Sequence, residues 1–471
     1  MLEKDLFFSL IEYKPNDSYY TKKDEKLEYL LNLVNDIDME QVIKISWYCS
    51  KVLGMKLSPV ITNTFLYMKA NMLKDFYKNI DYLKFVIRDT YTRPDFISNS
   101  LEFYEQYLGI DVKNIPNSLK NTYTKVLESY GDLTLKKFKM KKKEYSLADL
   151  IKVFRPNPMK AKKLINKNLY KDIIENKAPL EQETITDVLS NATFSKEEKT
   201  TVINKSIDKM PINQIIKNLK NIDYVQNHEI VNKKLKDCFS KETALRYINP
   251  YDLIFSSKEI DTRWLNLLDT VLLDWLKTYF EIDEQEYSIL FDKSGSMYWS
   301  GDIYNSNVAN GAKFLSLIIP VLKNYKFYLY DTSLKELDKK LLQRLHNKCT
   351  PNQIYETLLE ITKQADGGTS TISCLRQCSN LNPKDNIILI TDEVTYDNSN
   401  IFDNCIKNPL ILYCTDITQA GLFSLKKSML RISGANGNIL PAIQQFLFFD
   451  KFLQKVNTSF DKAYEKFKNR K

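Results

Sequence analysis

Apolar residues along the first 280 positions recur at intervals of three and four. Leu27, Leu30, Leu31 and Val34 form one stripe, Ile61, Phe65, Met68 and Met72 a second, and Leu147, Leu150, Ile151 and Phe154 a third. That period places the apolar side chains of each stretch on one face of an α-helix. The stretches are short, the polar links between them are brief, and none buries its stripe alone. Helix pairs stacked side by side, as in a HEAT-type solenoid, are therefore expected, although no fixed repeat length is visible. From Tyr287 the pattern changes. Nearly continuous apolar runs at 287–291, 326–330, 386–390, 410–414 and 429–432 alternate with helical stretches such as 308–322 and 354–365. Strands of that kind separated by helices predict a mainly parallel sheet covered on both faces. The expected fold class is α plus α/β.

Glycine divides the chain at the same place. Only Gly54, Gly109 and Gly131 of the eleven glycines precede residue 280, so the first part lacks the punctuation that strands and tight turns need. The expected divisions are 1–280 for the helical part, 281–450 for the α/β part and 451–471 for a basic C-terminal helix.

With 43% hydrophobic and 27% charged residues among 471, the chain has an ordinary globular composition with room for two or three cores. Seven cysteines form no CxxC pair; Cys374 and Cys378, one helical turn apart, are expected to pack rather than bind zinc. No leader pattern at Met1 and no membrane-length apolar run are present, so a reducing, cytoplasmic, membrane-free setting is expected. His228 and His346 are the only histidines, which argues against Ser-His-Asp or Cys-His catalysis.

The net charge of +9 favours an anionic partner only if the cations cluster. They do. Lys136, Lys137, Lys139, Lys141, Lys142 and Lys143 are followed by Lys152, Arg155, Lys160, Lys162, Lys163, Lys167 and Lys171, against Glu144 and Asp149. Such density suits phosphate contacts, with Phe138, Tyr145 and Tyr170 interleaved as stacking or packing groups. A solvated lysine face has the same composition. Asn157 and Pro158, after Pro156, mark a break between two helices.

A second chemistry sits where the apolar run at 287–291 ends. Asp292, Ser294 and Ser296 alternate around Gly295, offering one carboxylate and two hydroxyls from a single turn. Oxygen donors of that kind suit a hard divalent cation such as Mg²⁺, and they equally suit a turn that caps the next helix. Two further fragments favour the cation. Gly367-Gly368-Thr369 presents a hydroxyl from a loop, and Asp392 ends the buried run 387–391. Ligands of α/β sheets bind beyond the carboxyl ends of the strands, where the Asp292 loop is expected to lie.

Asp-x-Ser-x-Ser, Gly-Gly-Thr and Thr-Asp, in this order and in an α/β part, resemble the metal-ion-dependent adhesion site of von Willebrand factor A domains. The resemblance implies that Ser294, Ser296 and Thr369 ligate the ion while Asp292 and Asp392 hold its waters. An ion so held binds an acidic residue of a protein partner and does not catalyse. The stretches at 144–158, 210–219 and 244–250 resemble, in order, the blocks of TROVE domains, the HEAT-repeat ring of Ro ribonucleoprotein autoantigens, and 19–23 resembles the segment that opens that ring. Together these motifs span roughly 15–450. The implied architecture is a HEAT-like helical-repeat ring followed by a doubly wound von Willebrand factor A-like domain.

The implied function is non-enzymatic. The resemblance implies a monomer forming a ribonucleoprotein with small noncoding (Y-like) RNAs and with the single-stranded 3′ ends of misfolded RNAs. Lys137, Lys141 or Lys142, and Arg155 fall where the family contacts RNA, and Lys139, Lys143 and Lys152 extend that set. Arg155 replaces a histidine common in the family, which keeps a donor and makes its charge permanent. A protein-interaction adaptor working through the metal site is the alternative. A metal-dependent nuclease or phosphatase is disfavoured because hydroxyls dominate the donor set.

Overall fold

The computed structural model describes residues 2–12, 23–72, 77–137, 145–177, 195–208, 210–241, 244–245, 247–280, 282, 285–298, 302–347, 350–363, 367–394, 410–415, 429–433 and 439–469. The expected helical stripes are helices. They comprise α1 (Leu2–Glu12), α2 (Lys23–Asp36), α3 (Met39–Lys51), α4 (Leu57–Met72), α5 (Tyr77–Thr90), α6 (Pro94–Gln106), α7 (Asn117–Glu128), α8 (Asp132–Lys137), α9 (Leu147–Phe154) and α10 (Leu169–Ile174). Leu27, Leu31 and Ile61 meet Phe103 in one buried cluster. The packing alternates: α3 lies against both α4 and α5, α4 against α5 and α6, and α5 against α7. Contact with the next helix and the next but one is the signature of stacked helix pairs.

The ends of these helices follow local chemistry. The Asp38 side chain accepts from the Gln41 amide (3.1 Å) at the start of α3, and Gly54 follows α3 with φ of 72°. The C-terminal stretch is an ordered element of this same unit. In the helix Phe449–Lys468, Phe452, Val456 and Phe460 are buried at four-residue spacing. The Phe460 ring meets Trp47 at 5.5 Å, Tyr82 at 5.2 Å and Phe85 at 5.5 Å. Lys44 Nζ bridges Glu40 (3.0 Å) and Asp461 (3.1 Å) beside that ring.

Further helices are α11 (Lys196–Ser206), α12 (Ile212–Lys217), α13 (Tyr224–Phe239), α14 (Thr262–Tyr279), α15 (Asn307–Ile318), α16 (Lys339–Asn347), α17 (Pro351–Ile361), α18 (Thr371–Leu381) and α19 (Ile439–Leu447). The strands are β1 (Glu286–Asp292), β2 (Asn324–Tyr330), β3 (Leu334–Glu336), β4 (Asn386–Thr391), β5 (Leu410–Cys414) and β6 (Met429–Ser433). They form one six-stranded sheet in the order β3-β2-β1-β4-β5-β6, parallel except for β3. The five expected runs are the five parallel strands. The edge strand β3 leaves no apolar run in the sequence, because only Leu334 is half-buried while Lys335 and Glu336 are exposed. The helix expected over 308–322 leaves α-geometry at Ile318, where Pro320 cannot supply the next amide and a 3₁₀ turn takes over. Cys374 and Cys378 are buried in the core of α18 and the sheet, as packing residues.

The chain order reverses at β1, which pairs with β2 on one side and β4 on the other. A crevice for ligands therefore opens beyond its carboxyl end. Helix α15 passes closely beneath that end: a Cβ added at Gly311 would stand 2.6 Å from Ile390 Cγ2 and 3.1 Å from Phe291 Cζ. Alanine usually stabilises an exposed helix interior relative to glycine. Here the clash decides the sign, and Gly311→Ala is expected to lower stability by about 1–3 kcal/mol, measured by urea unfolding.

By internal contacts the chain groups into two units, Met1–Ser195 with Asp450–Lys471, and Lys196–Phe449. Helices α11 to α14 thus group with the sheet, whereas the composition break lies near 280. The Asp269 carboxylate on α14 shows why: it accepts from both the Asn352 amide and Asn352 Nδ2 at 2.9 Å, tying α14 to α17 through buried bonds.

Candidate metal centre and basic surface

The buried strand β1 delivers Asp292 to its end, where the chain must turn. Asp292 Oδ1 accepts from the Ser294 amide (2.9 Å), and Oδ2 accepts from Thr391 Oγ1 (3.0 Å) and the Tyr330 hydroxyl (3.3 Å). Three donors from three strand ends hold one carboxylate. Ser294 Oγ lies 3.2 Å from Ser296 Oγ. The Gly295 amide donates to the Gly367 carbonyl (3.3 Å), which joins the Asp292 turn to the Gly-Gly-Thr loop. Gly367 has φ of 33°, in the left-handed region that glycine enters without strain. Thr369 is buried in that loop, and the Ser370 amide donates to the Asp331 carbonyl (2.9 Å) to fix it. Asp392 is buried at the end of β4 with Oδ1 accepting from the Val394 amide (3.0 Å).

Burial, together with the negative charge of Asp392, pushes the Asp292 carboxyl up to about 7. Two buried carboxylates that repel one another, lined by hydroxyl oxygens, form a donor set that suits a hard divalent cation, whose charge would offset the repulsion. By this test the residues fit Mg²⁺. Among the described residues no cluster of three or more His, Cys, Asp or Glu is placed to hold a metal, so the hydroxyls of Ser294, Ser296 and Thr369 would have to serve.

Three residues of this centre have no role assigned from the sequence, although Thr391 stands in its Thr-Asp fragment. Tyr330 and Thr391 position Asp292 from neighbouring strands. Glu393, buried with φ of 63°, extends the acidic pair but is engaged: Arg431 Nη2 donates to its Oε2 (3.2 Å), and Nε stands 2.9 Å from Oε1. The Thr-Asp-Glu run was the only signal for Glu393, and nothing in it points to an arginine 38 residues on.

The basic candidates lie in the other unit. Lys139, Lys141, Lys142 and Lys143, with Phe138 and the segment 19–22, fall outside the described residues; Lys137 ends α8. Helix α9 begins with a reciprocal capping box, the Asp149 amide donating to Ser146 Oγ (3.2 Å) and the Ser146 amide to Asp149 Oδ2 (3.0 Å). It buries Leu147, Leu150, Ile151 and Phe154, which leaves Lys152 on the exposed face. Arg155 closes it in a left-handed conformation (φ 47°, ψ 55°), its amide donating to the Ile151 carbonyl, immediately before Pro156. The break expected at 156–158 is there.

Lys152, Arg155, Lys160, Lys162 and Lys163 are exposed and have no carboxylate partner among the described residues. The nearby acids are engaged with backbone. Glu128 accepts from the Asn157 amide (2.9 Å), and Asp132 accepts from the Ile165 (2.7 Å) and Asn166 (3.1 Å) amides. Tyr170 is a packing residue: it is buried, and its hydroxyl donates to the Leu127 carbonyl (3.0 Å).

The chain resembles the crystal structure of the Ro (RSR) protein of Deinococcus radiodurans at a TM-score of 0.56 and 12% identity, covering 95% of this chain and 99% of that one. The fold is that of a Ro protein. The TROVE resemblance read from short motifs therefore stands at the level of architecture, a helical-repeat part with an α/β part, across nearly the whole Ro-like chain. No family model matches the sequence. No curated protein matches it. Among the described residues no helix is long and apolar enough to cross a membrane.

Proposed function

We propose that this Ro-like chain is a non-enzymatic RNA-binding protein, working in the cytoplasm, that captures structured or misfolded RNAs by an unpaired 3′ tail and binds small noncoding RNAs of the Y class. The observation that carries this is the set of exposed cations from Lys152 to Lys163, which have no carboxylate partner among the described residues, while the neighbouring Glu128 and Asp132 accept from backbone amides. An isolated excess of positive charge is satisfied by a polyanion, and phosphate contacts release counterions. Lys137, Lys139 and Lys141 to Lys143 precede these cations in the sequence and are assigned to the same role from the sequence alone.

The Asp292 centre supports a second, separate activity. Asp292 and Asp392 would position, and Ser294, Ser296 and Thr369 would ligate, a Mg²⁺ ion that supplies a Lewis-acidic contact for an acidic residue of a protein partner. The buried repulsion between Asp292 and Asp392 favours this over a plain helix cap, which needs one acid only.

Tail capture separates RNA structures. A hairpin with an unpaired 3′ tail is expected to bind at least about tenfold more tightly than the same hairpin with a blunt end, as measured by fluorescence anisotropy. Equal affinity for the two would sink the tail-capture reading.

A further inference from the structure

The segment between α9 and α10 combines features that rarely coincide. Met159 is 78% exposed and Ile165 89% exposed, within a stretch that also carries Lys160, Lys162 and Lys163. Single exposed apolar residues are ordinary on protein surfaces. This segment, however, is held firmly from below. Ala161 and Leu164 are buried, the Ile165 amide is fixed by Asp132 (2.7 Å), and the Met159 amide donates to Asn157 Oδ1 (2.9 Å). The Lys163 carbonyl sits 3.2 Å from where Gly131 would carry a Cβ, so the segment presses onto α8's leading glycine without room for a side chain. A backbone so fixed does not expose two large apolar side chains through slackness; it presents them.

The geometry points to Met159 and Ile165 as apolar platforms that pack on nucleobase faces of a bound RNA at the junction where an unpaired tail leaves its duplex. This rests on the RNA-binding reading above. The choice of occupant follows from charge complementarity: the flanking lysines have no acid partner among the described residues and suit phosphates on either side of a base, while the apolar groups offer no hydrogen bond and so read a base only by its face. A base at a junction has one face already unstacked, which lowers the cost of such packing.

The test uses the full chain and two RNA hairpins with identical 3′ tails, one of which carries an abasic nucleotide at the junction. Wild-type protein is expected to bind the intact hairpin about tenfold more tightly than the abasic one. The double variant Met159→Ser, Ile165→Ser should bind both alike, at the wild-type level for the abasic RNA. Its dependence on salt should equal that of wild type, because no cation has been removed. A double variant that keeps the full preference for the intact junction overturns the platform role. Loss of wild-type binding to phosphatidylserine vesicles in the same variant, with RNA affinity unchanged, overturns it in favour of a membrane contact. If wild-type protein binds neither hairpin, the RNA-binding reading itself fails, a result distinct from the other two.

Discussion

Charge reversal at three exposed positions, Lys152→Glu, Arg155→Glu and Lys163→Glu together, is expected to weaken binding of a 3′-tailed RNA by about a thousandfold at physiological salt. Each reversal removes a phosphate contact and adds a repulsion. The plot of log affinity against log salt should become shallower by about 2, since three contacts to single strands contribute about 0.7 each. The fold should tolerate the changes. All three side chains are exposed and without carboxylate partners among the described residues, and glutamate keeps the Cβ of Lys163 that packs beside Gly131. A glutamate at the C-terminal cap of α9 meets the negative end of the helix, which costs only about 0.3–1 kcal/mol. The control is an equal reversal elsewhere, at the exposed Lys339, Lys340 and Lys384 of the other unit. It carries the same net charge. If both triple variants lose affinity alike, the effect is long-range charge and the α9 surface is not the binding site.

The two candidate sites differ in how far they could be read from sequence. Asp292, Ser294 and Ser296 are legible because they share one turn. Thr369 and Asp392 join them because each follows a punctuated or apolar run that fixes its place in an α/β pattern. What could not be read is everything set by strand pairing. Tyr330 reaches Asp292 because β2 pairs beside β1 with Asp292 opposite Tyr330, and Thr391 reaches it from β4 on the other side. Arg431 neutralises Glu393 across the sheet in the same way. Such register is fixed by the packing of the whole sheet and leaves no mark near either residue.

On the basic side, the density of lysine was plain, but its meaning was not. Lysines surrounded by free acids would be a solvated face. In the structure Glu128, Asp132 and Asp149 each accept from backbone amides, and none of them forms an ion pair with a lysine of the cluster among the described residues, which supports the binding reading proposed above. Long-range bonds of this kind, such as Asp132 to Ile165 across 33 residues, cannot be inferred from composition. The same bonds hold Met159 and Ile165 outward, which a helical or loop pattern alone would pass over as surface noise.

Without a divalent cation, the protein is expected to lose stability as pH rises from about 4 to about 7, through Asp292. The sign follows from proton counting. An unfolded aspartate releases its proton near pH 3.9, whereas burial and the Asp392 charge hold the folded carboxyl to about 7. Between those values the folded chain binds the extra proton, so rising pH favours unfolding. The shift corresponds to on the order of 4 kcal/mol, fully lost above the folded value. Mg²⁺ favours the ionised carboxylates, and so should raise the urea midpoint at pH 8 much more than at pH 5. Asp292→Asn keeps the size of the side chain and can still bond Thr391 and Tyr330, whose hydroxyls rotate to accept. It should flatten this part of the pH dependence and abolish the effect of Mg²⁺. The difference between wild type and the asparagine variant reports Asp292 together with Asp392, whose charge its carboxyl feels, and removes the contribution of groups remote from this pair. Parallel profiles for the two proteins, with or without Mg²⁺, would falsify both the carboxyl's elevated affinity for its proton and the cation's place beside it.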